Sequence, residues 1–286
     1  MILLIIPWVL FGDFSKVSLS LSQILTVVIG KKIYFVSDLH LGALALKNNK
    51  ERELLFVDWL QSIRKEASMI FLMGDYFDFW FEYKKTVPKG YVRSLGVLAD
   101  ICDSGTPVHF FTGNHDIWAF DYLSEEIGMV VHKESTTMEL LGKKFFLSHG
   151  DDLGKKDFGY QLIKNFFHNS LAQWAFAKIH PDLSFRLAHY WSKKSRLSYI
   201  NGGVGEKNIE AEEQYLFAKS VEAKEHFDYF VFGHRHLIIN EPLAGNSRLI
   251  VLGDWIRKFS YGVFDGNKFR IETIEDNKLK EYRITI

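Results

Sequence analysis

The sequence predicts an α/β fold, on three observations. Short apolar runs, several of them β-branched, alternate with longer stretches whose apolar residues recur at helical spacing. At least five of the short runs stop at an Asp, Asn or His within a residue or two. The 286 residues are 47% apolar and 24% charged, so a substantial core can be buried. That length suits one large domain or two small ones.

The elements follow in order from residue 31. Ile33-Tyr34-Phe35-Val36 reads as a strand ending at Ser37-Asp38. Asn49–Lys65 carries Leu54, Leu55, Val57, Trp59, Leu60 and Ile63 and reads as a helix. Met69–Met73 is a second strand, ending at Gly74-Asp75. Tyr91–Asp103 is a helix stopped by Gly105-Thr106-Pro107. Val108–Phe111 is a strand before Gly113-Asn114, and Lys143–Leu147 one before Ser148-His149. Asn208–His226 reads as a helix, and Tyr229–Phe232 as a strand before Gly233-His234. Short strands then run to the C-terminus, among them Ser260–Phe264 and Phe269–Ile274. Strands alternating with helices imply largely buried sheets.

Composition narrows the function. Formal net charge is zero, whereas a duplex-DNA binder is usually basic, so nucleic acid is not expected as a partner. The 25 Phe suit a crowded core or a site for something greasy. One cysteine, Cys102, lies on the apolar face of its helix and reads as a small buried hydrophobe. With no disulfide framework, a reducing compartment is expected. Residues 1–30, MILLIIPWVLFGDFSKVSLSLSQILTVVIG, begin with an apolar run too short to span a bilayer. No Lys or Arg precedes that run, as a secretory signal would require. Three readings stand: an apolar arm against membrane, an extra packed segment, or an upstream start codon read in error. The third is preferred, because the first strand and its motif begin cleanly at Lys31.

The chemistry sits in five separated stretches: Asp38-Leu39-His40, Gly74-Asp75, Gly113-Asn114-His115-Asp116, His149-Gly150-Asp151 and Gly233-His234-Arg235-His236. Each alone is weak, since an Asp after a strand is more often a turn former or helix cap. Two of them hold side chains two apart, which point the same way in an extended segment and can face one ion. In α/β sheets, sites gather at the carboxyl ends of strands, so the five can converge. Together they offer Asp, His, Asp, Asn, His, His and His. Imidazole, carboxylate and amide oxygen suit manganese, iron or zinc better than magnesium. The set exceeds the needs of one ion, and two ions sharing a carboxylate would use it fully. Two metals about 3.5–4 Å apart form a clamp for phosphoryl displacement. Two ions bring about four positive charges and two ligand Asp return two, leaving a centre that attracts a phosphate ester. A neutral Asn at 114 keeps that charge from being spent.

In this order the motifs resemble those of the calcineurin-like metallophosphoesterases, over roughly Lys31–Asp254. The resemblance implies a sandwich of two β-sheets flanked by helices, an α/β/β/α four-layer domain over residues 31–286. It implies that Asp38, His40, Asp75 and His236 hold one ion. Asp75, Asn114, His149 and His234 hold the other, with Asp75 bridging. His115 is then the group that donates to the phosphate or protonates the leaving oxygen, and Asp116 the group that orients it. Protein Ser/Thr phosphatases carry G-N-H-E and an Asp-Arg-Gly, so that branch does not match.

The stretches Gly74-Asp75-Tyr76-Phe77-Asp78-Phe79-Trp80 and His149-Gly150-Asp151-x-Leu153-x-x-x-Asp157-x-Gly159-Tyr160-Gln161 look like the UDP-2,3-diacylglucosamine pyrophosphohydrolases of lipid A synthesis. That resemblance implies a manganese-dependent enzyme, cytoplasmic and peripheral to the inner membrane. It would cleave a nucleotide-linked lipid to UMP and 2,3-diacylglucosamine 1-phosphate. His115 stands where the best-known members have Arg, and a related branch keeps the His. Residues 152–204 match an inserted helical lid that forms an acyl-chain chamber. Here Leu162, Ile163, Phe166, Phe167, Leu171, Trp174 and Ala175 follow helical spacing, Pro181 interrupts, and Leu183, Leu187, Tyr190 and Trp191 resume it. A helix pair packing its stripe on the body is the plain alternative. Asp157, Tyr160, Lys193, Lys194 and Arg196 are the expected substrate contacts; a solvated basic face is the alternative for the last three. Arg235 reads as a surface residue or a phosphate contact. Two other functions stay open: the same chemistry on another phosphodiester or nucleotide diphosphate, and a non-catalytic scaffold of this fold.

Overall fold

The computed structural model describes residues 32–46, 48–153, 167, 169–187 and 209–282. The expectations for residues 1–30, and for Asp157, Tyr160, Lys193, Lys194 and Arg196, lie outside the described residues.

Strand β1 (Lys32–Val36) is central to a six-stranded sheet of order β11-β10-β1-β2-β3-β4. In it β2 (Ala67–Leu72), β3 (Val108–Phe111) and β4 (Val130–His132) run parallel to β1. The last strands, β10 (Ser260–Phe264) and β11 (Phe269–Thr273), close the sheet antiparallel. The second sheet has five strands in the order β5-β6-β7-β9-β8. Its middle, β6 (Lys143–Leu147), β7 (Tyr229–Phe232) and β9 (Arg248–Leu252), is parallel. β5 (Thr136–Leu140) and β8 (Ile238–Pro242) flank it antiparallel.

Period-two alternation builds the layers. Ile33 and Phe35 of β1 face inward with Met69 and Phe71 of β2, and meet Phe145, Leu147, Val231, Ile250 and Leu252 of the second sheet. The intervening residues Tyr34, Val36, Ile70, Leu72 and Phe110 face out, onto α1 (Asn49–Ile63) and α2 (Val92–Asp103). Phe230, Phe232, Leu249 and Val251 face the other side, where α5 (Glu213–Glu222) packs through Ala218. The expected α/β/β/α layering is therefore present. Each large side chain buried between the sheets stabilises the sandwich by roughly 1.5–3 kcal/mol.

Some expected elements differ. The helix over Asn208–His226 is a 3-10 turn, Ile209–Ala211, followed by α5. Glu212 interrupts it with an extended backbone while its carboxylate pairs with Arg235 at 2.9 Å. The helices α3 (Tyr122–Glu125) and α6 (Asp276–Glu281), and the strands β4 and β5, are too short or too polar for apolar periodicity to reveal. Cys102 is half-buried rather than buried, and burial pushes its thiol up to about 11, away from reactivity.

Of the 152–204 segment, the described part includes α4 (Ser170–Phe176), capped by the Asn169 side chain, and a helical segment at 181–187. Among the described residues of the expected apolar stripe, Leu171 and Trp174 are 69% and 59% exposed. Phe167 of that stripe does reach the body, with Phe176 and Phe185, packing edge-on or tilted against Phe79, Phe81 and Trp118. The Trp118 indole N–H donates to the Phe167 carbonyl at 2.8 Å.

Candidate metal centre

Six strands of the two sheets, β1, β2, β3, β6, β7 and β9, direct their carboxyl ends toward one region. Main-chain bonds then tie the segments beyond them together. Asp38 N–H donates to the Gly74 carbonyl (3.1 Å), His40 N–H to Asp75 (2.9 Å), and Gly233 N–H to His149 (2.9 Å). The Trp255 N–H, just past β9, donates to the Asp38 carbonyl at 3.1 Å.

Asp38 and His40 do not lie on an extended segment, as their spacing suggested. β1 ends at Val36, and both residues take left-handed backbone, φ 57° and 45°. Asp75, His234 and His236 do the same, so five of the eight non-glycine residues with positive φ among the described residues belong to this cluster. Each such conformation costs roughly 1–3 kcal/mol and persists only where its surroundings over-determine it. The convergence is thus made by tight turns rather than by strand periodicity.

The side chains meet closely. His236 Nε2 lies 3.2 Å from Asp38 Oδ1 and 3.2 Å from His40 Nε2. His40 Nε2 is 3.6 Å from Asp75 Oδ2, and His149 Nε2 is 3.4 Å from that same oxygen. Backbone N–H groups hold the other carboxylate oxygens: His115 N–H on Asp75 Oδ1 and His234 N–H on Asp38 Oδ2, both at 2.9 Å. Asp75 therefore stands between His40 on one side and His149 on the other. Donor atoms of Asp38, His40 and His236 lie within 4.8 Å of one another, as do those of Asp75, His149 and His234. His115 comes equally close to His40 and Asp75. Asn114, beside it, is exposed.

Two glycines make this approach possible. A Cβ at Gly113 would lie 2.7 Å from Asp75 N and 2.8 Å from His149 Nε2, and closer still to Asp75 Oδ1. One at Gly233 would lie 2.7 Å from Asp38 Oδ2 and 2.9 Å from Ser37 Cβ. Each glycine leaves room for a side chain from the opposite sheet.

The electrostatics favour cations. Burial would raise the Asp38 carboxyl, but the facing imidazoles, His236 first and then His40, hold it well below the carboxylate range. Burial also opposes ionisation of Asp75, which His149, His115 and His40 outweigh, keeping it low. His149 is raised despite burial, by Asp75 chiefly, while burial and the His149 charge pull His234 down to about 4. Buried Asp38 Oδ1 and His149 Nε2 make no hydrogen bond of good geometry. The His149 Nδ1–H donates to the Met73 carbonyl at 2.8 Å, so Nε2 carries the lone pair in the neutral ring. Such facing lone pairs and carboxylates are the donor set of a divalent cation.

One expectation is corrected. Asp116 does not orient His115. Its buried carboxylate accepts from the backbone N–H groups of Gly113 (2.7 Å), Tyr76 (2.7 Å) and Phe77 (3.4 Å), fastening the turn between β3 and the Asp75 loop. His115 donates Nδ1–H to the Asp78 carbonyl at 2.7 Å instead. Arg235 pairs with Glu212, its Nε and Nη2 each 2.9 Å from Oε2.

Sequence reasoning missed two carboxylates. Asp254 is fully buried and lies 3.7 Å from His236 Nδ1; Asp78 Oδ1 lies 3.8 Å from His40 Nδ1. Gly253-Asp254 follows the apolar run Leu249–Leu252, so it repeats the strand-then-Gly-Asp pattern that marks Gly74-Asp75.

The model of the calcineurin-like phosphoesterase family matches residues 31–237, most of the chain and all five motifs. The chain belongs to the calcineurin-like phosphoesterases. Divalent metal ions are accordingly expected at this centre, and the donor groups above suit them. Among curated relatives of this phosphoesterase, UDP-2,3-diacylglucosamine hydrolase of Porphyromonas gingivalis is 41% identical over 257 residues, covering 86% of this chain and 98% of the relative. Proteins of the same name from Actinobacillus succinogenes and Vibrio atlanticus are 26% and 24% identical, covering 78% and 85% of this chain and 92% and 98% of theirs. This phosphoesterase is thus a metal-dependent hydrolase by family. No helix among its described residues is long and apolar enough to cross a membrane.

Proposed function

We propose that the protein cleaves the pyrophosphate of UDP-2,3-diacylglucosamine, releasing UMP and 2,3-diacylglucosamine 1-phosphate. The observation that carries the reading is an adjacency. Asp78, whose carbonyl holds His115, is followed directly by Phe79, which packs on Phe176 and Phe185 of the 152–204 segment. A phosphate-attracting centre and an aromatic wall thus share one loop, as a substrate with a diphosphate and two acyl chains requires. Each methylene such a wall buries is worth roughly 0.8 kcal/mol. The named relatives support the same substrate.

In this reading Asp38, His40, Asp75 and His236 hold one ion, and Asp75, Asn114, His149 and His234 the other. The mixed nitrogen and oxygen donors suit Mn2+. Two such ions supply Lewis acidity and an acidified water. His115 has its Nδ1–H fixed on Asp78, which aims Nε2 at the centre; as the doubly protonated ring it would donate Nε2–H to the phosphate or to the departing oxygen. Asp116 keeps the turn carrying Asn114 and His115 in place. Asp157, Tyr160, Lys193, Lys194 and Arg196 would contact the substrate from the lid. The exposed Leu171, Trp174, Leu183 and Leu187, with Lys178 over the Trp174 ring at 5.4 Å, suit a peripheral seat on the cytoplasmic face of the inner membrane.

The test is UMP release by Mn2+-loaded protein from UDP-2,3-diacylglucosamine and from a UDP-sugar without acyl chains. Strong preference for the acylated substrate is expected. Equal turnover of the two would remove the lipid reading.

A further inference from the structure

One buried guanidinium stands behind the centre. Arg52, on α1, is 2% exposed, and no other Lys or Arg among the described residues is buried. Taking a guanidinium out of water is costly, and an apolar side chain would fill the same space without that cost. The role of Arg52 therefore lies in what its nitrogens hold.

Each nitrogen of the planar fork serves a different segment. Nε donates to the Trp255 carbonyl at 3.0 Å, Nη2 to the Leu39 carbonyl, and Nη1 to Asn49 Oδ1 at 3.2 Å. Trp255 N–H in turn donates to the Asp38 carbonyl at 3.1 Å. These bonds close a ring from Asp38 through Trp255 and Arg52 to Leu39. It spans the carboxyl ends of β1 and β9, which belong to different sheets. Leu39 lies between Asp38 and His40, the residues with φ 57° and 45°. Left-handed backbone at such residues persists only where the surroundings over-determine it, and the Leu39 carbonyl is where Arg52 acts on both. The frame behind the fork is firm. Phe56 and Trp59 of α1 pack edge-on against the Trp255 ring, with centroids 5.2 and 5.5 Å away. Asn49 Nδ2 donates to the Ala43 (2.7 Å) and Leu46 (2.9 Å) carbonyls, closing the loop that follows His40.

We propose that Arg52 is a positioning residue of the hydrolytic reaction: through the Leu39 and Trp255 carbonyls it holds Asp38 and His40 in the backbone conformation that aims their side chains at the centre. A guanidinium has no lone pair to offer a cation, and burial keeps this one out of reach of the substrate, so it acts only through those two residues. Lys at this position would keep the charge but is a point donor, without the fork that reaches both carbonyls at once. This inference rests on the two-ion reading above.

The experiment compares wild type with Arg52→Lys as full chains loaded with Co2+, by the d–d absorption of the bound ion and by hydrolysis of a chromogenic phosphodiester. Urea unfolding of the metal-free proteins shows that each is folded. In Arg52→Lys, kcat should fall by about 100-fold, the loss that a misplacement near 1 Å can bring, while KM is unchanged. The Co2+ spectrum should shift with it, because Asp38 and His40 present their donor atoms differently. Should Arg52→Lys fail to fold, Arg52→Met, which leaves no buried charge, is read in the same way. A folded variant with wild-type kcat, an unmoved Co2+ spectrum, or a change confined to KM would overturn the inference and leave the two-ion reading standing. Failure of both variants to fold would overturn it as well, by making Arg52 a folding residue. Wild type that binds no Co2+ would overturn the two-ion reading itself.

Discussion

Replacing Gly113 by Ala perturbs the centre without altering any polar group. The added methyl would sit 2.8 Å from His149 Nε2 and 2.7 Å from the Asp75 backbone nitrogen, where ordinary contact begins at 3.4 Å. Relief therefore requires shifts of at least about 0.6 Å in two groups that belong to opposite sheets, and a misplacement near 1 Å can cost about 100-fold in rate. The Asp75 main chain cannot retreat easily, since its carbonyl accepts from His40 and its carboxylate from His115. A fall in kcat/KM of about 100-fold, or roughly 2.7 kcal/mol in barrier, is expected. Thermal stability should fall too, by the 1–3 kcal/mol typical of overpacking. The assay is hydrolysis of a chromogenic phosphodiester with metal content measured in parallel. Gly96→Ala is the control: the site lies inside α2 with nothing within 4 Å of the new methyl, so a gain of about 0.5–1 kcal/mol is expected there. A Gly113→Ala protein with full metal content and kcat/KM within threefold of wild type would refute the close-approach argument.

Three further predictions concern separate parts of the molecule. His115→Ala should lower kcat by about 100- to 10,000-fold while Mn2+ stoichiometry stays at the wild-type value, as expected of a proton donor; loss of one bound ion would make it a ligand instead. Asp116→Ala strands the buried N–H groups of Gly113 and Tyr76 and should lower stability by about 2–5 kcal/mol, measured by urea unfolding of metal-free protein; an unchanged midpoint would contradict the bracing role. His109 and His132 share a buried 2.9 Å hydrogen bond, and burial pulls them down to about 3 and about 4. Between those values and the unfolded 6.5, the unfolded chain binds more protons, so stability is complete above pH 6.5 and falls as pH drops through the window. At pH 5 the loss is about 2 kcal/mol per imidazole. His132→Gln should flatten the stability–pH slope of the metal-free protein, and an unaltered slope would count against the pair.

Much of this protein is legible in its residues. The runs Val108–Phe111, Lys143–Leu147 and Tyr229–Phe232 are strands with those same limits, because short runs rich in aromatic and β-branched residues and closed by polar ones have few other ways to be buried. The same boundary logic singles out Asp38, Asp75, His115, His149, His234 and His236, which do converge. Reading failed where function is carried by the main chain. Every residue has a carbonyl, so nothing in the sequence marks that of Asp78 as the partner of His115, or that of Met73 as the partner of His149. Asp116 was misread for a related reason: adjacency to His115 says nothing about where its carboxylate points, and the waiting donors come from residues 76 and 77.

The residue pattern alone determined the layers and the short list of polar groups at the strand ends, since burial of apolar side chains is a local, periodic demand. Tertiary structure decided which oxygen faces which nitrogen. Left-handed turns at Asp38, His40, Asp75, His234 and His236, and glycines that yield space to side chains of the other sheet, bring together groups nearly two hundred positions apart. Those distances of 3–4 Å depend on how two sheets settle on a shared core, a property of the whole packed sandwich that no short stretch of sequence contains.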